Sequence, residues 1–159
     1  MIYTATVTSV KDTASTSPDK TVLQVSRGLI YKIDVYFPPG SAGLMGVKIM
    51  DSIYQMYPST PGTWFVGDNN TISFDDVYLK ESGPYVFDIY HYNTDDTNSH
   101  SVIIRIGMLT KTRYMARFLP DLSFTAMKDY FAGIAAEQEL IQQAAVDELL
   151  ENPFGELIL

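Results

Sequence analysis

The sequence predicts a mainly β protein: an antiparallel, jelly-roll-like β-sandwich followed by a long C-terminal α-helix and an apolar C-terminal peptide. Three observations carry that expectation. Residues 1 to 113 alternate short runs of Val, Ile, Thr, Tyr and Phe with clusters of Gly, Pro, Asp and Ser, the pattern of strands cut by turns. Eight of the ten glycines and six of the eight prolines fall in that stretch, whereas residues 114 to 159 are rich in Ala, Glu, Gln and Leu. In the second stretch the apolar spacing lengthens from two residues to between three and four. A chain of 159 residues is large enough for one packed core with an appendage, so residues 1 to 113 are assigned to the sandwich and residues 114 to 159 to a helical tail.

Taken in order, Ile2-Tyr3-Thr4-Ala5-Thr6-Val7-Thr8 has strand composition, and Lys11 to Lys20, with Pro18 and several Ser, Thr and Asp, reads as a loop. Thr21 to Ser26 is the next strand, and Arg27-Gly28 is a tight turn into Leu29 to Phe37. There Tyr31, Ile33, Val35 and Phe37 alternate with Ile30, Lys32, Asp34 and Tyr36, which assigns the first set to the core. Pro38-Pro39-Gly40-Ser41-Ala42-Gly43 stops this strand, because proline lacks an amide proton and glycine supplies turn geometry. Further strands are expected over Leu44 to Tyr57, Thr71 to Phe74, Pro84 to Tyr92 and Ser99 to Met108, the last two framing a polar hairpin loop at Asn93 to Asn98. About seven or eight strands result.

Phe124, Met127, Phe131, Ile134, Ile141 and Ala145 follow helical spacing, interrupted by Gln138, and predict a helix over 125–151. Ser123 is its N-cap and Asn152-Pro153 its stop. Such a helix is about 40 Å long at about 1.5 Å per residue. Beyond it, Phe154, Leu157, Ile158 and Leu159 place four large apolar side chains in the last six residues. Phe124, Met127, Phe131, Ile134 and Ile141, with these four, are therefore the predicted protein-interaction residues, docking on the same domain or on another subunit.

Charge and composition exclude several function classes. Nineteen acidic against eleven basic residues give a net charge of −8, unsuited to a duplex-binding face, and eight of the acids lie after Arg113 beside only Arg117 and Lys128. The absence of cysteine removes disulfides, thiolate nucleophiles and Cys-ligated metals. The N-terminus Met1-Ile2-Tyr3-Thr4 lacks a signal-peptide pattern and the apolar runs fall short of a membrane span, so neither processing nor membrane insertion is expected.

Candidate chemistry is sparse. His91 and His100 flank Asp95 and Asp96 and would approach one another if their strands paired; lacking any recognised metal spacing, the four are read as hairpin-end residues. Asp68-Asn69-Asn70 and Asp75-Asp76 lack the calcium-loop pattern and are read as turns. The glycines at 40 and 43 are not followed by Lys-Ser/Thr and a helix, as a phosphate loop requires. No Gly-x-Ser-x-Gly elbow or His-Glu-x-x-His helix occurs, so no enzyme activity and no cofactor are expected. Trp64, Tyr54 and Tyr57, with Tyr90 and Tyr92, are the alternative site: exposed and coplanar, they would stack on sugar rings in a carbohydrate-binding module for host or glycan attachment.

The segment Tyr36-Phe37-Pro38-Pro39-Gly40-Ser41-Ala42-Gly43-Leu44-Met45-Gly46-Val47-Lys48-Ile49 resembles small proteins encoded beside the head and tail genes of tailed bacteriophages. Gln55 and Pro58 before Gly62-Thr63-Trp64, then Ile72-Ser73-Phe74, Pro84-Tyr85 leading to Asp88-Ile89-Tyr90-His91-Tyr92-Asn93, and His100 opening a β segment continue the resemblance in order, over residues 29 to 108. It implies a structural virion protein, assembled in the host cytoplasm, that decorates the capsid or sits at the head-to-tail neck. Capsid or portal/neck subunits and further copies of the chain are the implied partners, with no nucleic acid or membrane partner. The matching residues are structural, so no active-site residue is implied.

Overall fold

The structure, a computed structural model, describes residues 1–119 and 123–151. It divides into two compact units, Met1–Thr110 and a second from Lys111 onward. The first is all β. Its strands are β1 (Ile2–Ser9), β2 (Asp19–Gln24), β3 (Gly28–Phe37), β4 (Met45–Asp51), β5 (Tyr54–Tyr57), β6 (Phe65–Val66), β7 (Asn70–Phe74), β8 (Tyr78–Lys80), β9 (Val86–Asn93) and β10 (His100–Leu109). They form two five-stranded antiparallel sheets, one ordered β1-β10-β3-β7 with β8 also on β3, the other β2-β9-β4-β5 with β6 also on β4.

Among the described residues there are ten strands, more than the seven or eight expected, for two physical reasons. Leu44 to Tyr57 turns back on itself at Ser52, whose φ of 56° closes the β4–β5 hairpin through the pair Asp51↔Tyr54. Strands β6 and β8, with two and three residues, are too short to display alternation. The expected hairpin at Asn93 to Asn98 is a correction: β9 lies between β2 and β4, β10 lies between β1 and β3, and the loop carries the chain from one sheet to the other. Arg27-Gly28 likewise joins strands of different sheets.

Both sheets contribute to one apolar cluster. Ile33, Val35, Phe37, Ile104 and Ile106 from the first sheet and Val47, Ile49, Phe87 and Ile89 from the second are completely buried. Full burial of each such side chain contributes about 1.5–3 kcal/mol. Aromatic rings bridge the layers edge to face, Tyr57 on Phe74 at 5.3 Å and Tyr78 on Phe87 at 6.4 Å between centroids. The alternation in β3 holds from Ile33 to Phe37 and changes phase before it. Lys32 pairs with Gly107 and Ile30 with Met108, so Tyr31 is the extra residue of a bulge. Ile30 is consequently buried, and Tyr31 swings outward over Gly107.

The second unit contains α1 (Lys111–Phe118) and α2 (Phe124–Glu151). Helix α1 places the boundary at Thr110, three residues before the change in composition, and its eight residues are too few to establish a period. Tyr114 of α1 packs on Phe118 at 4.8 Å and on Phe131 of α2 at 6.5 Å. Helix α2 starts one residue before the expected 125. Ser123 caps it, its carbonyl accepting from Met127 N–H at 2.9 Å and its hydroxyl from Ala126 N–H at 3.4 Å. Asn152-Pro153 and the apolar residues Phe154, Leu157, Ile158 and Leu159 lie outside the described residues.

Candidate functional site

Helix α2 has apolar residues on more than one side, which an amphipathic surface helix does not. At about 100° per residue, Met127, Phe131, Ile134, Ala135, Gln138, Gln142 and Ala145 fall on one side, and all seven are buried or half-buried, as are Ala126 and Val146. Phe131 is only 8% exposed, with Tyr114 and Tyr130 on its ring and Lys111 Nζ 5.5 Å from its centre. Of the predicted interaction residues, Phe131 thus has its ring packed inside the second unit. Met127 and Ile134 are half-buried. Phe124 and Ile141 remain outward, 80% and 46% exposed.

Sequence reasoning missed Leu140 and Leu150, which are 73% and 74% exposed. Gly133, Leu140 and Ala144 form an outward side opposite Phe131, flanked by Tyr130 and Ile141. The signal was present in the adjacent pair Leu140-Ile141, since neighbours on a helix point about 100° apart and cannot share a narrow stripe. Glu137, Glu139, Asp147 and Glu148 border this side, and Lys128 is the sole basic residue of the helix. Gln143 ties Asp147 with a 2.7 Å hydrogen bond.

The alternative aromatic site does not assemble as a platform. Tyr57 is 3% exposed and its hydroxyl donates to Asp76 Oδ2 at 2.7 Å; burial, then that bond, pushes its pKa far up. Tyr54 packs against the core cluster. Trp64 alone of the three stands on the outer face of the β4/β9 sheet, where Tyr92 meets it at 4.9 Å with the ring planes at 89°. Lys48 Nζ covers the indole at 4.5 Å and lies 5.7 Å from Tyr90, and burial there lowers the lysine's pKa. Edge-on rings with a capped face do not offer the coplanar surface that a sugar ring requires.

The histidines are held apart. His91 points inward, 3% exposed, with Nε2 3.2 Å from Thr21 Oγ1 and Nδ1 without a partner among the described residues. Burial lowers its pKa, opposed in part by the charge of Asp19. His100 instead faces Asp95, Nε2 to Oδ2 at 2.7 Å. Asp95 also accepts from the amides of Thr97 and Asn98, and these bonds bring its pKa down to about 2. It thus shapes the crossover loop. Asp68 does similar work for the turn after β3, accepting from Gly40 N–H at 2.7 Å. That bond, with others from the Ala42 and Ser41 amides, lowers its pKa. Asp76 is occupied by Tyr57 and by the amide of Val77. Among the described residues no three His, Asp or Glu side chains converge as metal ligands.

One polar group inside the fold had no sequence expectation. Lys80 of β8 is 4% exposed, with Nζ 2.5 Å from Asp51 Oδ1, while Tyr78 donates to Asp51 Oδ2 at 2.9 Å. Helices of the described residues include none long and apolar enough to cross a membrane. Neither a protein-family model nor a curated protein sequence matches this chain.

Proposed function

We propose that this chain is a structural virion protein, a jelly-roll β-sandwich that binds neighbouring capsid or head-to-tail neck subunits through its β domain and its helical tail. The strand order supports the jelly-roll reading: along the chain the strands of the two four-strand paths β1-β10-β3-β7 and β2-β9-β4-β5 alternate between layers except at the β4–β5 hairpin. The resemblance over residues 29 to 108 supports the virion reading.

The observation that carries the assembly role is the outward side of α2. Leu140, Ile141 and Leu150 are exposed on a helix that is apolar on its other side as well, and soluble monomers seldom leave such a surface uncovered. Its acidic border selects a partner surface that is apolar and rimmed by Lys or Arg. The test is the double substitution Leu140→Glu/Ile141→Glu in the full chain. It should leave the circular dichroism spectrum unchanged and abolish incorporation into particles; incorporation at the wild-type level overturns the reading. Removal of residues 153–159 should weaken incorporation as well. Retention on a glycan array that is lost with Trp64→Ala would favour the carbohydrate-binding alternative.

A further inference from the structure

The two sheets have four open edges, and three of them are blunted. The β5/β6 edge consists of strands of four and two residues, and the β7/β8 edge of strands of five and three. Strand β2 follows Pro18 and opens with Asp19 and Lys20, the latter 3.3 Å from Asp88. Proline, charge and brevity are the usual means by which an edge is kept from pairing. Strand β1 has none of them: Ile2-Tyr3-Thr4-Ala5-Thr6-Val7-Thr8-Ser9 is eight residues long, without charge and without proline.

The pairing of β1 with β10 fixes which backbone groups face outward. Met1 and Met108 exchange both hydrogen bonds, at 2.7 and 2.8 Å, and the register runs without a shift to Ser9↔His100. In an antiparallel pair such exchanges recur at every second residue, so residues 1, 3, 5, 7 and 9 bond β10. The N–H and C=O groups of Ile2, Thr4, Thr6 and Thr8 therefore point away from the sheet, and all four residues are exposed. Among the described residues β10 is the only strand paired with β1.

We propose that the occupant of this edge is β1 of a second copy, joined antiparallel about a two-fold axis at Ala5. In that register Ile2 faces the partner's Thr8 and Thr4 faces its Thr6, so every outward group finds its complement in about eight hydrogen bonds. The Thr4–Thr6 pairs bring hydroxyl side chains together on the outer face, a favourable cross-strand combination, and no like charges meet because the strand carries none. The same surface serves both copies, as closed two-fold symmetry requires. This inference concerns a surface in the first unit and does not rest on the virion reading.

The experiment measures the mass of the full chain in solution by light scattering, for the wild type and for Thr6→Pro. Proline at position 6 removes an outward N–H that β10 does not use, so the ladder to β10 survives while the outer edge is blocked. The expected result is that Thr6→Pro halves the mass with an unchanged far-ultraviolet spectrum. Should that variant fail to fold, Thr4→Lys/Thr6→Lys, which alters only exposed side chains, is expected to halve it too. The register is tested independently, because the chain has no cysteine. Ala5→Cys faces itself at the axis in a close, non-hydrogen-bonded pair and should yield a covalent dimer on oxidation, whereas Thr8→Cys should not. A monomeric wild type, a mass insensitive to both edge variants, or equal cross-linking at positions 5 and 8 overturns the proposal. Loss of particle incorporation with Leu140→Glu/Ile141→Glu leaves it untouched.

Discussion

Lys80 of β8 and Asp51 at the end of β4 form an ion pair, 2.5 Å from Nζ to Oδ1, that joins the margin of one sheet to the margin of the other. Tyr78 completes the carboxylate's coordination from the same short strand. Their side chains are 5% and 12% exposed, so removing one partner leaves the other charged in a poorly hydrated place. Lys80→Ala or Asp51→Ala should each cost about 3–5 kcal/mol in urea unfolding. The double replacement Lys80→Met/Asp51→Leu should recover a large part of that loss. Additive losses would show that the two residues act separately.

Buried His91 makes the fold sensitive to mild acid. Its folded-state pKa lies below the ordinary 6.5, so below that pH the unfolded chain binds the proton more readily. Stability should therefore fall as pH drops beneath about 6.5 and stop responding to this group once its folded pKa is passed. His91→Gln should flatten the slope in urea midpoints measured between pH 7 and pH 5; an unchanged slope would exclude His91 as its source.

Asp95 acts in a lower window. With its pKa held at about 2 against an ordinary 3.8, the carboxylate contributes stability above pH 3.8 that disappears as pH falls toward 2. Asp95→Asn should lose that contribution at neutral pH and show a shallower dependence between pH 4 and pH 2. Amide exchange at Thr97 and Asn98, whose N–H groups the carboxylate accepts, should quicken in the variant.

Gly46 holds Tyr92 in place by having no side chain. A Cβ there would stand 2.3 Å from the Tyr92 ring, so Gly46→Ala must drive the ring off the strand and away from Trp64. We expect a loss of about 1–3 kcal/mol and a shift in tryptophan emission, which reports this site alone because Trp64 is the single tryptophan. Gly28→Ala should be more damaging, since its Cβ would meet the carbonyl oxygen of Leu109, at 2.5 Å, and backbone yields less than a ring.

What the sequence disclosed follows from what is local. The alternation at Ile33, Val35 and Phe37, the stop at Pro38-Pro39 and the cap at Ser123 are properties of neighbouring residues, and each is found where the pattern puts it. Which strand joins which is not local. His91 and His100 are separated by a short loop, yet their strands lie inside different sheets, and no feature of Asn93 to Asn98 distinguishes a crossover from a hairpin. Lys80 was illegible for a related reason: a lysine in a three-residue strand reads as solvated unless its partner 29 positions earlier is known. Tyr57, Trp64 and Phe131 show the same limit, because aromatic character does not tell a buried ring from a displayed one.

The contact between Met1 and Met108 sets the order in which this protein can be completed. The first strand of the β domain is the one that must wait longest, because its only partner among the described residues is the last strand of the domain. Until residue 109 has emerged, Ile2–Ser9 has both flanks bare. With six of the nine links between successive strands crossing between layers, few pairings form early, and folding of this topology is slow relative to helical proteins of its size. Translation speed through the last third of the β domain therefore governs how long an uncharged, strand-forming segment stays available to other nascent chains.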